Sequence, residues 1–507
     1  MIILYNPPSN AQHKPVLPMS LLALGAVLEG KHDYRIIDGN LAADPLAELD
    51  QAIRETQADI LGVTVMPGPQ LSNAVPICQQ LKQRHPRLTI VWGGYFPTQH
   101  YPICLKAAYV DYVLRGHAEL AFRSLIDALR AGTDPHGIAG VVSHETVAQQ
   151  HSTSSIELLP AAPRRRTIMA GMPEIPHPNE LPDFPYHRVA LERYIRPTFM
   201  GRRTIPHHSS YGCPFFCNFC AVVNMVGGRW LAQSAARVAE TTRHLVERYH
   251  VDAVEFYDNN FFVQEARTAE FAERIMDLQI GWWGEARIDT LMKYSDNTWR
   301  LMRDSGLRMV FLGAESGSDE TLKRMDKGGT ASTAKTLELA RRTREYGIVP
   351  EMSFVLGNPP DPQRDVRQTI EFIRQVKRVN PATEIILYLY TPVPLAGELY
   401  DQARASGFQF PETLEQWISP EWSDFAQRRS AGLPWMFDPL RRELHDFERV
   451  LNAYYPTTTD VRLRGGWRYL LRGLASWRYH FGIYRYPIEL RAIQRLIRYQ
   501  RPETSGF

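Results

Sequence analysis

Residues 211–223 read YGCPFFCNFCAVV and put Cys213, Cys217 and Cys220 within eight positions. The whole chain of 507 residues has five cysteines. An odd, clustered set argues against a disulfide framework and for metal binding or catalysis in a reducing compartment. Thiolates are soft ligands, suited to zinc and to iron–sulfur clusters. On the residues alone, three readings compete. The first is a chance group of buried cysteines. The second is a structural zinc site completed by His207 or His208, just upstream. The third is a cubane cluster on three protein ligands, with one iron left open. Zinc sites usually present two separated ligand pairs, whereas this loop is single and compact. The surrounding Gly212, Pro214, Phe215, Phe216 and Phe219 would limit solvent access to a cluster.

Outward from this loop, the pattern is α/β. Residues 1–148 alternate as MIILYN, PMSLLALGAVLEG, YRIIDGN, DPLAELDQAIRETQ, ADILGVTVM, SNAVPICQQLKQRH, LTIVWGGYFP, VDYVLRGHAE and LAFRSLIDALRAG. That is the period of a doubly wound, Rossmann-like (flavodoxin-like) parallel sheet, whose ligands bind at the strand C-termini. Prolines then recur through residues 149–200, with Arg164, Arg165 and Arg166 among them, as in a linker that wraps a surface. Residues 201–420 carry six further β/α units, too few for a closed eight-strand barrel. A partial (β/α)6 barrel is expected, with its chemistry at the strand C-termini. Residues 421–507 read as a small helical region.

Composition sets further bounds. A formal charge of +3 on 507 residues makes the chain no obvious nucleic-acid binder. The start, MIILYNPPSN, reads as a strand and not a signal peptide, and no apolar run is long enough to span a bilayer, so a cytoplasmic protein is expected. From Val461 to Arg501 there are ten arginines and one acid, Glu489, interleaved with Trp467, Tyr469, Trp477, Tyr479, Phe481, Tyr484 and Tyr486. Its plain reading is a helical cap with arginines snorkelling from an aromatic face. The sharper reading is peripheral contact with an anionic membrane.

The cysteine loop resembles the radical S-adenosylmethionine (SAM) signature, including the aromatic before the last cysteine. The resemblance implies a [4Fe-4S] cluster on Cys213, Cys217 and Cys220. SAM would chelate the open iron and, after one-electron reduction, yield a 5′-deoxyadenosyl radical. It also implies SAM contacts at successive strand ends: Asp258 and Asn259 in FYDNNFF, Arg287 in GEARID, Glu315 in LGAESGS, and Val355 and Gly357 in VLGNPP. A flavodoxin- or ferredoxin-type protein would supply the electron.

The first domain is similar to the cobalamin-binding domain that precedes the barrel in one radical SAM class, through PMSLLALGAVLEG, DILGVTVM, VWGGYFPT and VLRGHAE. The cobalt-ligating D-x-H-x-x-G is absent, and His13, His100 and His117 lack its context. The resemblance therefore implies base-off cobalamin on Thr64, Val65, Met66, Gly93, Gly94, Tyr95 and Gly116. The expected function is methyl transfer to an unactivated carbon of a small or lipid-like substrate. The alternatives are a cyclase or rearrangement enzyme similar to the anaerobic Mg-protoporphyrin monomethyl ester cyclase, and a non-catalytic cobalamin or redox sensor.

Overall fold

Five short apolar strands open the chain, each followed by a helix: β1 (Ile2–Asn6), α1 (Met19–Leu28), β2 (Tyr34–Asp38), α2 (Pro45–Thr56), β3 (Ile60–Thr64), α3 (Pro69–Arg84), β4 (Thr89–Gly93), α4 (Tyr95–Cys104), β5 (Tyr112–Leu114) and α5 (Glu119–Ala131). The computed structural model describes residues 1–9, 15–145, 173, 175–327, 329–395, 397–426, 433–457, 459, 463 and 465–496. His13, Arg164 to Arg166, residues 149–172 of the expected linker, and residues 461, 462, 464 and 497–507 of the arginine-rich end lie outside the described residues. The sheet order is β2-β1-β3-β4-β5-β6. β1 to β5 are parallel, and both faces carry helices, which is why the strands are near-continuous apolar runs. β6 (Val141–Ser143) adds an antiparallel edge beside β5 that the sequence pattern did not reveal. The strand order reverses at β1/β3, so the crevice of this sheet opens over Asn6 and Thr64.

The second sheet is all parallel and strictly sequential: β7 (Thr204–His207), β10 (Ala253–Phe256), β11 (Gly281–Ala286), β12 (Leu307–Glu315), β13 (Val349–Leu356) and β14 (Glu384–Leu389). Among the described residues β7 and β14 remain its two edges, so six units build an incomplete barrel, as the count of units predicts. Its helices start where the side chains dictate. Ser234, Ser295, Ser332 and Asp361 each cap the first turn by accepting a backbone N–H, and Pro362 fills the first position after Asp361. Alternation sorts the strand residues by face. Phe256 and Trp282 point outward into a helix-side cluster with Phe261 and Phe271, all essentially inaccessible. On the opposite, inner face Glu255 lies beside Trp283 and Trp283 beside Met309, while Glu285 lies beside Phe311 and Phe311 beside Glu351.

The described part of the linker ties the two sheets together. Arg188 pairs with Glu29, Tyr194 Oη donates to Asp38 at 2.7 Å, and Arg196 Nη2 reaches Glu255 at 2.8 Å. At the other end, helices α12 (Asp438–Tyr454), α13 (Gly465–Phe481) and α14 (Ile488–Leu496) pack near the start of β14. There the Glu384 carboxylate accepts from Thr459 N and Oγ1, and Lys377 Nζ lies 4.4 Å from the centre of the Tyr455 ring.

The cysteine loop does not leave the barrel strand directly. β7 stops at His207, and a separate strand, β8 (Ser210–Gly212), pairs antiparallel with β9 (Trp230–Ala232). The loop is therefore the tip of a clamped hairpin. Gly212, one residue before Cys213, has φ +80°. A Cβ there would lie 2.3 Å from the Arg229 carbonyl oxygen, so only glycine fits. Gly212→Ala is expected to open this clamp. Amide hydrogen exchange across residues 210–232 should accelerate by about tenfold or more, the size of a strained left-handed residue plus a clash. Unchanged protection would contradict the geometry.

Candidate active site

Cys213, Cys217 and Cys220 share the hairpin tip, and each raises the others' pKa electrostatically or is raised by them, so the three thiols are near neighbours. Burial pushes all three thiols up, Cys220 to about 12. Such thiols become thiolates only when a metal takes the proton's place. Among the described residues no trio of His, Cys, Asp or Glu converges on one ion-sized point. The histidines of the zinc reading have neighbours of their own, though His207 Nε2 has no hydrogen-bond partner among the described residues. His207 Nδ1 bonds Tyr186 Oη at 2.8 Å, and His208 packs its ring on Tyr211 at 5.3 Å.

Cations surround the loop. Arg287 follows β11, and its guanidinium is buried. Nη1 donates to Cys217 Sγ at 3.1 Å, Nε and Nη2 donate to Asp289 at 3.0 Å, and Nη2 also donates to the Lys327 carbonyl at 2.8 Å. Its face stacks on Phe215, with 3.8 Å from Cζ to the ring centre. Asp289 also accepts from Thr330 Oγ1. At the end of β12, Glu315 pairs with buried Lys327 at 2.8 Å, and Lys327 also donates to the Gly313 carbonyl. Glu315 sits at φ +63° beside a register break between Gly313 and Glu315. A left-handed glutamate at a strand end is strained backbone, of the kind held in place at functional sites.

Other expected residues land less simply. Asp258 is fully buried, and its carboxylate accepts from Ser209 N, Ser209 Oγ and Ser210 Oγ. It ties the base of the cysteine hairpin to β10. Asn259 is exposed, whereas its neighbour Asn260 is buried, with Nδ2 3.8 Å from Cys213 Sγ. Asn260 Oδ1 is buried and has no hydrogen-bond partner among the described residues. Val355 is buried on β13. Gly357 has φ +77°, and its carbonyl accepts from Trp435 Nε1 at 2.9 Å. Met436 Sδ stands 2.5 Å from where a Cβ would be, so residues 435–436 close over the fifth strand end.

On the first sheet, the expected cradle lies along one edge. Thr64 and Met66 follow one another at the end of β3, and Met66 is exposed. Val65 differs: its side chain is fully buried, so only its backbone meets the edge, with N–H on the Gly93 carbonyl and C=O taking the Phe96 N–H. Gly93, Gly94, Tyr95 and Gly116 are all partly exposed there. Gly94 has φ +100°, and a Cβ would press on Thr64 and Val65 at 3.2–3.3 Å. A bare glycine edge beside an exposed methionine suits the approach of a broad, flat ligand. Behind it, Gln70 bridges Met66 N and Asn6, and Asn6 donates to Asp38. His100 is not at this edge. It is buried between Phe96, Phe410 and Trp417, and burial lowers its pKa to about 3.

The two edges meet. His117, next to Gly116, stacks on Tyr211, two residues before Cys213, at 4.2 Å between ring centres. Asn224, four residues after Cys220, donates to Gln99 Oε1 of α4 at 3.2 Å and to the Pro394 carbonyl at 3.1 Å.

Sequence reasoning passed over Asn260, Lys327, Asp289 and Glu285. Glu285 lies in the quoted GEARID, and strand alternation puts it on the inner face with Trp283. There Trp283 Nε1 donates to Glu351 at 3.3 Å. Met352, in contrast, points to the outer face.

Comparison with known proteins gives these positions a context. The model of the B12 binding domain matches residues 13–126, and that of the radical SAM superfamily matches residues 208–373. Over 384 residues, 74% of this chain and 78% of the relative, the chain is 27% identical to the "uncharacterized methyltransferase PH0819" of Pyrococcus horikoshii. It is 26% identical over 406 residues, 76% of this chain and 74% of the relative, to the anaerobic magnesium-protoporphyrin IX monomethyl ester cyclase of a Synechocystis species. The solved structure of the cobalamin-dependent SAM radical enzyme OxsB, with aqua-cobalamin and SAM bound, shares the fold at TM-score 0.66 and 14% identity, over 98% of this chain and 75% of that one.

Burial pushes the Glu285 carboxyl up to about 8, with the charge of Asp258 adding to it. The unfolded chain ionises this group in the ordinary carboxylate range, while the folded chain keeps the proton to about pH 8. Wild type therefore loses stability as pH rises through that window. In cofactor-free protein, Glu285→Gln should melt above wild type near pH 8, and the gap should close as pH falls toward 4.5, the group's ordinary pKa. A gap that ignores pH would contradict an acid kept neutral by the fold. The two matched domains, in this order and fold, make the chain a radical SAM enzyme with an N-terminal B12-binding domain, homologous to methyltransferases and to cyclase-like enzymes of that architecture.

Proposed function

We propose that the enzyme is a C-methyltransferase that uses a [4Fe-4S] cluster, SAM and base-off cobalamin to methylate an unactivated carbon of a small or lipid-like substrate. The observation that carries this reading is the meeting of the two cofactor edges. The ring of His117 against Tyr211 and the Asn224–Gln99 contact bring the glycine edge of the first sheet to the cysteine hairpin. Bound there, the cluster and SAM would supply a carbon-centred radical oxidant, and cobalamin would carry the methyl group.

The chain's own residues do the rest. Cys213, Cys217 and Cys220 would hold the cluster, whose fourth iron would then be open to SAM. Arg287 and Lys327 are cations at the loop, placed to meet a carboxylate. Glu315, freed from Lys327, is placed to accept from ribose hydroxyls. Val355 and Gly357, covered by Met436, flank the remaining end of SAM. Asp258 anchors the hairpin, and Asn260 replaces Asn259 as the amide beside the cluster. Thr64, Met66, Gly93, Gly94, Tyr95, Gly116 and the Val65 backbone receive the corrin. A flavodoxin- or ferredoxin-type donor would deliver electrons, and five cysteines without a disulfide suit a reducing compartment such as the cytoplasm.

The cyclase reading draws on the relative from Synechocystis, which covers as much of the chain as the methyltransferase does. Product stoichiometry separates them. After anaerobic reconstitution with iron, sulfide and cobalamin, SAM and reductant should give both 5′-deoxyadenosine and S-adenosylhomocysteine. Cys217→Ala should lose 5′-deoxyadenosine by about a hundredfold or more, as expected when an element of a single catalytic unit is removed. 5′-Deoxyadenosine without S-adenosylhomocysteine would favour the cyclase. Neither product from a cluster-loaded protein, with candidate substrates present, would favour the sensor.

A further inference from the structure

Helix α13 has two apolar faces, and only one is used. Leu471, Ala475 and Tyr479 are buried, and Tyr479 stacks on Tyr454 of α12 at 4.5 Å. Arg478 locks the helix down. Its guanidinium pairs with Glu489 of α14 and donates to the carbonyls of Ile483, Arg485 and Tyr486. The second face is the run Trp467, Leu470, Leu474, Trp477, Phe481, spaced 3, 4, 3 and 4, in which Leu474 is half-buried against the core and the other four are exposed. At 100° per residue these five side chains fall within roughly 80° of arc. Trp467, Leu470 and Trp477 are 44%, 44% and 46% exposed, and Phe481 is 77% exposed. The turn that follows exposes Ile483, Tyr486 and Ile488 as well. A stripe of this kind, on the order of several hundred Å², is larger than scattered surface apolars need.

We propose that this stripe is a monotopic membrane-docking surface, and that its occupant is the interface of an anionic bilayer. Charge chooses among the occupants. The stretch from Val461 to Arg501 has ten arginines against Glu489 alone, while the whole chain carries only +3, so the rest of the molecule is net negative. Glu489 pairs with Arg478, and Arg485 and Arg491 pair with Glu443 and Asp446 of α12, which leaves the stretch still strongly positive. Two copies meeting through this face would bring like charge to like charge. A nucleic acid would offer phosphates but no partner for Leu470 and Ile483. An anionic bilayer interface offers both phosphates and hydrocarbon, and tryptophan favours that boundary. Among the described residues no helix is long and apolar enough to cross a membrane, so α13 would lie in the interface plane. The surface stands apart from the strand ends of the barrel, and the inference does not depend on which reaction occurs there.

Vesicle flotation of the full-length protein tests it, with phosphatidylcholine vesicles that contain or lack phosphatidylglycerol. Wild type should float with the anionic vesicles only, and less as salt rises. Trp477→Ser combined with Phe481→Ser should cut the bound fraction by about tenfold or more with an unchanged melting temperature. Tyr469→Ser, on the other side of the helix and 79% exposed, should leave flotation within about twofold. If the double variant melts early, Trp467→Ser replaces it, scored the same way. Failure of wild type to float, equal loss with Tyr469→Ser, or full flotation of the double variant would each overturn the proposal. So would a wild-type dimer that the double variant converts to monomer without vesicle binding, which assigns the stripe to a second copy. Binding gained only on removal of residues 497–507 would assign it to the chain's own end, with the same consequence.

Discussion

A buried guanidinium 3.1 Å from a cysteine sulfur organises this protein. Arg287 cannot sit inside the barrel mouth without compensating charge and acceptors, because an unpaired buried cation is costly. Asp289 supplies the charge, the Lys327 carbonyl and Cys217 Sγ supply acceptors, and Phe215 covers the face. Those contacts draw together the ends of β11 and β12 and the hairpin tip. Lys327 then reaches Glu315, so the third and fourth strand ends are linked through one chain of charge. Cluster binding would add thiolate charge to this chain, which the two cations already offset in part.

The same economy explains the seam. The first sheet has its reversal at β1/β3 and the second has its open strand ends around the hairpin, and each would be an ordinary ligand edge alone. Placing them together requires fixed elements on both sides. The linker provides one, through Tyr194 on Asp38 and Arg196 on Glu255. The residues flanking the cysteines provide the other, through Tyr211 against His117 and Asn224 on Gln99. His100 and His117 are drawn into packing, and burial lowers the pKa of each to about 3, so both stay neutral at physiological pH.

Much of this was legible in the sequence, because strand and helix periods, proline placement and cysteine spacing are local signals. They indicate six barrel units, a doubly wound first domain and the three clustered thiols. What they miss depends on distant contacts. β8 and β9 form a hairpin only because residue 212 is a glycine: a Cβ there would lie 2.3 Å from the Arg229 carbonyl oxygen. FYDNNFF offers two adjacent asparagines, and alternation at an irregular strand end does not say which faces inward; Asn260 does. Lys327 lies in a turn after a short helix, 12 residues from Glu315, with no periodic signal linking the pair. Val65 reads like its exposed neighbours, yet its side chain belongs to the core.

The central claim is that three cysteines leave one iron free for SAM. Mössbauer spectroscopy of protein reconstituted with iron-57 addresses it directly. The account predicts a four-iron cluster in which one iron differs from the other three, and only that iron's isomer shift changes when SAM is added. Four irons that all ignore SAM, or a mononuclear metal centre on the same cysteines, would contradict it.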